Sequence, residues 1–290
     1  MATVLSKADS ARFKEAQRAS WSEPDLVAAY RRWRPTFASL YEGADQVILE
    51  EAKPAPGLRV LDLASGSGDP AFALARAVGP GGHVTATDIS PGMVALVGDL
   101  AREQGLANIT SQYADAEELP FGDESFDLLT CRFGIMFCPD HLRALAEARR
   151  VLKPGSRAIY LVWGQPNATV FQVTIGVLRR HVEMPTPPPG APTPFKFAEP
   201  GSLSAALAES GFRDIDERRL VIPVIWPESA ALLWQFFVEM GAAVFRELLG
   251  GLSPEKRAQV EADIVEATEP YRKGNRIELE GEVVVVSGTR

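Results

Sequence analysis

The sequence predicts an α/β protein with a mostly parallel sheet and an added helical cap. Between Leu58 and Trp163, short apolar runs typical of buried strands alternate with segments of helical periodicity, a pattern that favours a parallel sheet. A long apolar segment at residues 229–249 predicts a helix that needs cover on more than one side. Alternation from Ile277 to Val286 predicts an antiparallel C-terminal strand of the same sheet.

The individual elements of the core are predicted from these patterns and from the glycine and proline residues that mark their ends. The predicted strands are Arg59–Leu63, residues 83–87, Ile109–Tyr113, Phe126–Arg132 and residues 158–163. The predicted helices are residues 70–78, Pro91–Glu103 and residues 141–152.

The chain divides into four predicted segments. Residues 1–55 form an N-terminal helical arm, in which Pro24 suits a helix start and Pro35 separates two helices. Residues 56–165 form a ligand-binding core, residues 166–275 a helical cap or lid that returns to the sheet, and residues 276–290 the C-terminal strand. Within the cap, six prolines between residues 182 and 194 predict a lid or linker. A helix over residues 202–210 and another opened by Ser253 follow.

Composition excludes several classes of function. The 290 residues carry a net charge of −8, so long-range attraction to nucleic acid is not expected. The basic cluster Arg31, Arg32 and Arg34 is interpreted as a solvated helix face.

No apolar run reaches the roughly 18 residues of a membrane span, and the N-terminus lacks a signal-peptide core, so we expect a cytoplasmic protein. Cys131 and Cys138 lack metal-ligand spacing, and no metal is expected.

Residues 60–69, VLDLASGSGD, are the most informative stretch. Here a buried strand runs into a glycine-rich turn, where Gly66 and Gly68 permit close approach of a ligand to the backbone. The following helix N-terminus favours negative charge. Gly66, Gly68 and Ala71 also satisfy the loose dinucleotide pattern G-x-G-x-x-A. A nicotinamide-dependent dehydrogenase and a plain tight turn therefore remain open at this point.

Three carboxylates help to separate these interpretations. Asp62 lies inside the strand, where a buried charge needs a partner that a pyrophosphate would not supply. Asp69 lies at the mouth of the loop, where its negative charge would also be unfavourable beside a pyrophosphate. Asp88 ends the next strand and could accept both hydrogen bonds of a ribose diol. A ligand with a ribose and a cationic amino-acid end fits all three.

Five motifs in order resemble the class I S-adenosylmethionine-dependent methyltransferases, in the branch of the ubiquinone/menaquinone C-methyltransferases. They are residues 60–69, 87–93 (TDISPGM), 114–121 (ADAEELPF), 125–127 (SFD) and 149–155 (RRVLKPG). Ala64 replaces the first glycine of the usual first motif. The resemblance covers about residues 58–163 and implies a Rossmann-like methyltransferase sheet with S-adenosylmethionine as cofactor. The flanking residues 30–35 and 131–137 resemble a bacterial subgroup with few assigned substrates.

The resemblance also implies roles for single residues. The backbone from Ala64 to Gly68 would hold the methionine end, with Asp62 anchoring its ammonium through water, and Arg132 would border the methionine portion. Asp88 would accept from the ribose hydroxyls. At the adenine, Ile89 and Met93 would sandwich the ring, Asp115 would accept from the amino group, and the Ala116 amide would donate. The implied cofactor residues are Asp62, Ala64, Ser65, Gly66, Gly68, Asp88, Ile89, Met93, Asp115, Ala116 and Arg132.

An acceptor pocket is expected beyond the C-terminal ends of the strands, where open parallel sheets bind their ligands. The predicted acceptor contacts are Tyr30, Trp33, Phe133, Trp163 and Phe237. The apolar segment 229–249 either covers this pocket or adds a core layer, and both interpretations stay open. A cover of Phe, Leu and Met would suit a small apolar or aromatic acceptor, methylated at oxygen or carbon.

No convincing general base is apparent in the sequence. A base is required only if the acceptor must lose a proton, since positioning of donor and acceptor supplies much of the barrier reduction. His181, just before the prolines, is the candidate catalytic residue, whereas His83 and His141 are interpreted as structural or surface residues. A cofactor-binding protein without catalysis is therefore the alternative, ahead of the dehydrogenase. Monomer and homodimer both remain open.

Overall fold

An eight-stranded mixed sheet lies at the centre of the part of the chain that the structure describes. The computed structural model describes residues 6–187, 190–240 and 243–290. The strands are β1 (Arg59–Leu63), β2 (His83–Asp88), β3 (Ile109–Tyr113), β4 (Phe126–Arg132), β5 (Leu152–Trp163), β6 (Arg213–Trp226), β7 (Arg272–Lys273) and β8 (Arg276–Thr289). Their order is β3-β2-β1-β4-β5-β8-β6, and β7 pairs with β8. Strands β1 to β5 are parallel, whereas β8 runs antiparallel to β5 and β6 antiparallel to β8.

Helices precede, connect and follow these strands. They are α1 (Lys7–Trp21), α2 (Pro24–Arg32), α3 (Arg34–Ala52), α4 (Ala71–Val78), α5 (Pro91–Glu103), α6 (His141–Val151), α7 (Thr169–Phe171), α8 (Ser202–Glu209), α9 (Ala230–Met240), α10 (Ala243–Gly250) and α11 (Pro254–Thr268). A π-helical turn, Gln172–Gly176, continues α7. Among the described residues, no helix has the length and apolarity needed to cross a bilayer.

Helix starts follow from local capping chemistry. Ser90 accepts a hydrogen bond from the Met93 amide and precedes Pro91, which sits in the first turn of α5. Asp140 caps α6, and Ser253 caps α11 ahead of Pro254. A short polar side chain at the N-cap satisfies an amide that the helix leaves free, and proline at the next position has no amide to satisfy.

The centre of the sheet places the residues that matter for function. Strand β1 is fully buried from Val60 to Leu63 and lies between β2 and β4. Leu63 pairs in register with Thr87 on one side and with Cys131 on the other. The carboxyl ends of three parallel strands therefore meet at one edge, which is where ligands bind in open α/β sheets.

The antiparallel part of the sheet is larger than expected. The sequence predicts one antiparallel strand at the C-terminus, but the long strand β6 also pairs antiparallel with β8. Six charged residues in its first seven positions, and Pro223 near its end, obscure the strand pattern. These residues are tolerated because β6 is the edge strand, where one side of the backbone needs no partner.

Two further differences concern the helices. Helix α1 precedes the two arm helices predicted around Pro35, which correspond to α2 and α3. The single helix predicted over residues 229–249 is described as α9 and α10, while residues 241 and 242 lie outside the described residues. Residues 188 and 189 of the proline-rich segment also lie outside them.

Candidate active site

The glycine-rich loop after β1 turns sharply through three residues with positive φ. Ala64, Gly66 and Gly68 have φ values of 55°, 50° and 100°. A Cβ on Gly68 would lie 2.0 Å from the Phe72 ring, so Gly68 allows α4 to pack closely against the loop. A Cβ on Gly66 would meet no atom within 4 Å. The loop thus leaves open space over Gly66, a concavity in which a ligand can approach the backbone.

Asp88, at the end of β2, holds this loop in place. Its Oδ2 accepts a hydrogen bond of 2.9 Å from the Gly66 amide, and its Oδ1 accepts one of 2.9 Å from the Ser90 amide. Burial raises the pKa of Asp88, while the backbone amides act in the opposite direction. Each carboxylate oxygen has a second lone pair, so Asp88 can still accept from the two hydroxyls of a ribose.

Asp62 is fully buried in β1, beneath the loop. Its Oδ1 accepts a hydrogen bond of 2.6 Å from the Thr130 hydroxyl. Among the described residues its Oδ2 has no hydrogen-bond partner, and burial raises the pKa of Asp62 to about 6. A buried carboxylate oxygen without a donor fits a cationic ligand group reached through water. Asp62 itself does not line the cavity described below.

Two ion pairs flank the loop and bring the N-terminal arm to it. Arg132, at the end of β4, lies 2.7 Å from Asp45 of α3, with its guanidinium over the Tyr41 ring. Burial raises the pKa of Asp45 to about 6 even though Arg132 opposes the shift. Arg34 pairs with Asp69 at 2.7 Å. The negative charge of Asp69 is therefore already neutralised, so Asp69 no longer argues against a pyrophosphate at this loop.

The pair with Asp69 also corrects the expectation for the arginine cluster. Arg31 and Arg32 are half-exposed and pair with Glu103 and Glu239, as a solvated face would. Arg34 is only 19% exposed and faces the loop instead. The sequence could not distinguish the three because the residue that sequesters Arg34 is 35 positions away.

The expected adenine end carries a contact that the sequence did not predict. Asp115 Oδ1 accepts a hydrogen bond from the Glu117 amide at 2.9 Å, and its Oδ2 lies 2.7 Å from Lys14 Nζ. Lys14 also lies 2.9 Å from Glu117 Oε2. Lys14 belongs to α1, about a hundred residues away in sequence, so no local pattern could have identified it.

One cavity of about 430 Å³ connects the loop to an aromatic compartment. Its first part, here called the cofactor half, is lined by Ala64, Ser65, Gly66, Asp88, Ile89, Met93, Asp115, Ala116 and Arg132. These are the sequence-predicted cofactor residues other than Asp62 and Gly68. The second part, here called the acceptor half, is defined by Trp21, Tyr30, Phe37, Tyr41, Phe133, Trp163, Phe171, Trp226, Phe236 and Phe237.

Four of the five predicted acceptor contacts line the acceptor half. Phe133 and Trp163 stack with ring centroids 4.3 Å apart, and Tyr30 stacks on Phe37 at 5.0 Å. Phe237 of α9 also lines the cavity, so part of the apolar segment 229–249 does cover the pocket. Trp33 does not line it.

Trp33 instead supports the cavity wall from behind. It packs against Trp226 and Phe236 and donates a hydrogen bond to Glu239. Sequence reasoning missed Phe37 and Trp226 as lining residues. Phe37 lies one helical turn from Trp33, so helical spacing could have identified it. Trp226 ends β6, the strand that was not predicted.

Groups able to accept a proton are scarce in the acceptor half. The described residues that line the whole cavity include no histidine, and their carboxylates are Asp88 and Asp115 of the cofactor half and Glu117, which pairs with Lys14. Burial raises the pKa of both Tyr30 and Tyr41, which keeps the two phenols protonated near neutral pH. The candidate His181 lies outside the cavity lining, and its Nε2 is 2.8 Å from Asp263 of α11.

Comparisons with known proteins agree with this geometry. Residues 43–186 match the model of the ubiE/COQ5 methyltransferase family. A demethylmenaquinone methyltransferase of Staphylococcus aureus is 39% identical over 127 residues, which are 43% of this chain and 51% of the relative. The chain thus spans about half the length of the curated relatives it matches.

Solved structures share the fold at lower identity. The YcgJ protein of Bacillus subtilis superposes with a TM-score of 0.56 at 20% identity, covering 86% of this chain and 98% of that one. A phosphoethanolamine N-methyltransferase of Haemonchus contortus, in complex with phosphomonomethylethanolamine and S-adenosylhomocysteine, gives a TM-score of 0.59 at 18% identity. It covers 96% of this chain and 60% of the neighbour.

The sheet order and the loop define a class I methyltransferase fold, as the sequence predicts. Within that fold, residues 43–186 are similar to the ubiE/COQ5 methyltransferase family. This similarity favours S-adenosylmethionine over a nicotinamide nucleotide as the ligand of the site. The residues present fit that molecule, because a buried carboxylate oxygen of Asp62 without a partner among the described residues, the open space over Gly66 and the carboxylate of Asp88 lie in one region.

Proposed function

We propose that the protein transfers the methyl group of S-adenosylmethionine to a small apolar or aromatic acceptor, at oxygen or carbon. One observation carries this proposal. A single cavity joins the glycine loop and Asp88 to the aromatic acceptor half at the carboxyl edge of the sheet. A donor in the first part and an acceptor in the second would therefore meet without crossing solvent.

Within this proposal the chain binds, orients and excludes water. Asp88 holds the ribose of the cofactor, and the loop backbone holds its methionine end. The buried carboxylate of Asp62 attracts the ammonium of that end. Phe133 directly follows β4 and Trp163 ends β5, and together they form an apolar wall next to Arg132. The cofactor supplies an activated methyl group when bound. Holding the two reactants in line within such a dry site accounts for a large share of the acceleration.

The lining favours a particular acceptor chemistry. The acceptor half offers aromatic faces and two neutral phenols, so an uncharged ring system fits it better than a polar or cationic molecule. Because no carboxylate or imidazole defines that half, the acceptor must be nucleophilic without a strong base. Electron-rich quinols meet both requirements, and a matched relative is named for methylation of demethylmenaquinone. The net charge of −8 argues against a nucleic-acid acceptor.

A titration and a turnover assay test the proposal. We expect isothermal titration calorimetry to detect S-adenosylhomocysteine binding in the micromolar range. We also expect labelled methyl to appear on at least one member of a panel of quinols, phenols and fatty acids. Asp88→Asn should weaken cofactor binding by about tenfold, because charge-assisted bonds contribute over 1 kcal/mol. Absence of wild-type binding would refute the proposal.

A second candidate is a protein that binds the cofactor without transferring methyl. The scarcity of proton acceptors in the acceptor half favours it. In the same two assays this candidate predicts S-adenosylhomocysteine binding together with no label on any acceptor.

A further inference from the structure

One face of α1 lies over the cavity. Lys14, Gln17 and Trp21 all line it, and their spacing of three and four residues places them along one side of a helix. Gln17 and Trp21 were not among the residues expected to contact a ligand. Helix α1 therefore forms part of the enclosure of the cavity.

The C-terminal end of α1 is anchored to the wall of the cavity. The Ser90 hydroxyl donates a hydrogen bond of 2.8 Å to the Trp21 carbonyl oxygen, and the Ser22 hydroxyl lies 3.1 Å from the Ser90 hydroxyl. The Trp21 ring packs edge-on against Tyr30 and Phe137. This end therefore has several independent contacts, with the start of α5, with α2 and with the turn after β4.

The rest of α1 is held much less firmly. None of its residues with described side chains is fully buried, and Arg12 and Arg18 pair only with acids of the same helix. The exception is Lys14, which bridges to Asp115 at 2.7 Å and Glu117 at 2.9 Å. Burial alone would lower the pKa of Lys14, but the two carboxylates raise it, so the ammonium stays charged.

Lys14 also keeps two acids close together. Glu117 is 4% exposed, and one of its oxygens accepts from the Asp140 amide while the other faces Lys14. Both carboxylates lie within 3 Å of the same ammonium, so they would repel each other without it. Asp115 is the residue expected to accept from the adenine amino group. Its position consequently depends on Lys14.

We propose that Lys14 is a positioning residue for the adenine end of the cofactor and fastens α1 as a lid over it. This inference rests on the proposed cofactor site. Release of the Lys14 bridge frees the weakly held part of α1 while Trp21 keeps the other end attached. The cofactor and its demethylated product exchange through that opening, so the bridge sets their residence time.

Stopped-flow displacement of S-adenosylhomocysteine tests the inference. Lys14→Met keeps the length of the side chain and removes its charge. We expect its dissociation rate to rise about fivefold, the size expected for a partly exposed bridge to two acids. The KM for S-adenosylmethionine should rise to a similar extent while kcat at saturation stays within about twofold. Lys14→Arg should restore slow release, and Arg12→Met, on the same helix, should behave like the wild type.

Salt dependence gives a readout that loss of packing alone would not change. Raising ionic strength from about 0.05 M to about 0.5 M screens a partly exposed ion pair. We expect it to accelerate release from the wild type and not from Lys14→Met. This measurement on the wild type remains informative if the variant folds poorly. Equal rates and equal salt dependence for wild type and variant would overturn the inference, whereas a wild type that binds no S-adenosylhomocysteine would overturn the proposed function itself.

Discussion

The Thr130 hydroxyl donates a hydrogen bond of 2.6 Å to Asp62 inside the sheet, and it satisfies only one of the two carboxylate oxygens. The other oxygen has no partner among the described residues, and burial raises the pKa of Asp62 to about 6. The ionised carboxylate is therefore unfavourable until a cation approaches it. We therefore expect the protonation of Asp62 to be coupled to cofactor binding.

Cofactor affinity should increase as pH rises through about 6. Below that pH Asp62 is protonated in the free protein and offers no charge to the ammonium, and above it the ionised form is available. We expect calorimetric titrations of S-adenosylhomocysteine between pH 5 and pH 8 to show up to about tenfold tighter binding per pH unit below the pKa.

Two controls isolate the role of the ammonium. 5′-Methylthioadenosine lacks the amino-acid group and should bind with little pH dependence. Asp62→Asn should reduce the pH dependence for S-adenosylhomocysteine, leaving the contributions of Asp45 and Asp88, whose pKa values burial also raises. A wild-type affinity that stays constant over this range contradicts the prediction.

Stability of the ligand-free protein should change with pH in the opposite direction. Because the pKa of Asp62 is higher in the folded state than in the unfolded chain, the folded state holds the proton more strongly between about pH 4 and pH 6. The free energy of unfolding should therefore decrease as pH rises through this window. Urea denaturation at several pH values measures this, with Asp62→Asn as the reference.

The two loop glycines should respond differently to alanine. Gly68→Ala places a Cβ 2.0 Å from the buried Phe72 ring at a φ of 100°, so both overpacking and backbone strain apply. We expect a loss of about 2–4 kcal/mol in the free energy of unfolding. Gly66→Ala meets no atom within 4 Å and should cost about 1 kcal/mol, but its methyl group enters the cavity and should weaken cofactor binding.

Chemical denaturation together with calorimetry distinguishes these outcomes. The distinction depends on which glycine faces protein and which faces the ligand. Equal stability losses for the two variants, or unchanged cofactor affinity in Gly66→Ala, would contradict the assignment.

Phe237 should affect the acceptor and not the cofactor. It lines the acceptor half from α9, whereas Asp88 and Asp115 lie in the cofactor half. Phe237→Leu should raise the KM for the best acceptor of the panel by about threefold to tenfold, the usual contribution of an aromatic contact. The Kd for S-adenosylhomocysteine should stay unchanged. Val238→Ala, at the next position and outside the cavity lining, is the matched control; equal effects of both variants would argue against an acceptor role for Phe237.

Local sequence patterns were sufficient to predict the strands and helices of the parallel core. The bounds of β1, β3, β4 and α5 agree with those predicted, because a buried parallel strand is a short apolar run and a capped helix has its own start signal. The antiparallel edge strand β6 was not predicted because six of its first seven residues are charged, so its first half lacks the apolar alternation of a strand. Its existence depends on pairing with β8, about sixty residues further along the chain.

The sequence by itself determined the parallel core, the glycine loop and the similarity of residues 43–186 to a methyltransferase family, since all three depend on contiguous motifs. Only the tertiary structure decided the partners of the charged residues and the enclosure of the cavity. Asp45 meets Arg132, Arg34 meets Asp69, and Lys14 meets Asp115 only after the N-terminal arm folds onto the core. Such contacts join residues up to a hundred positions apart, and spacing along the chain carries no information about them.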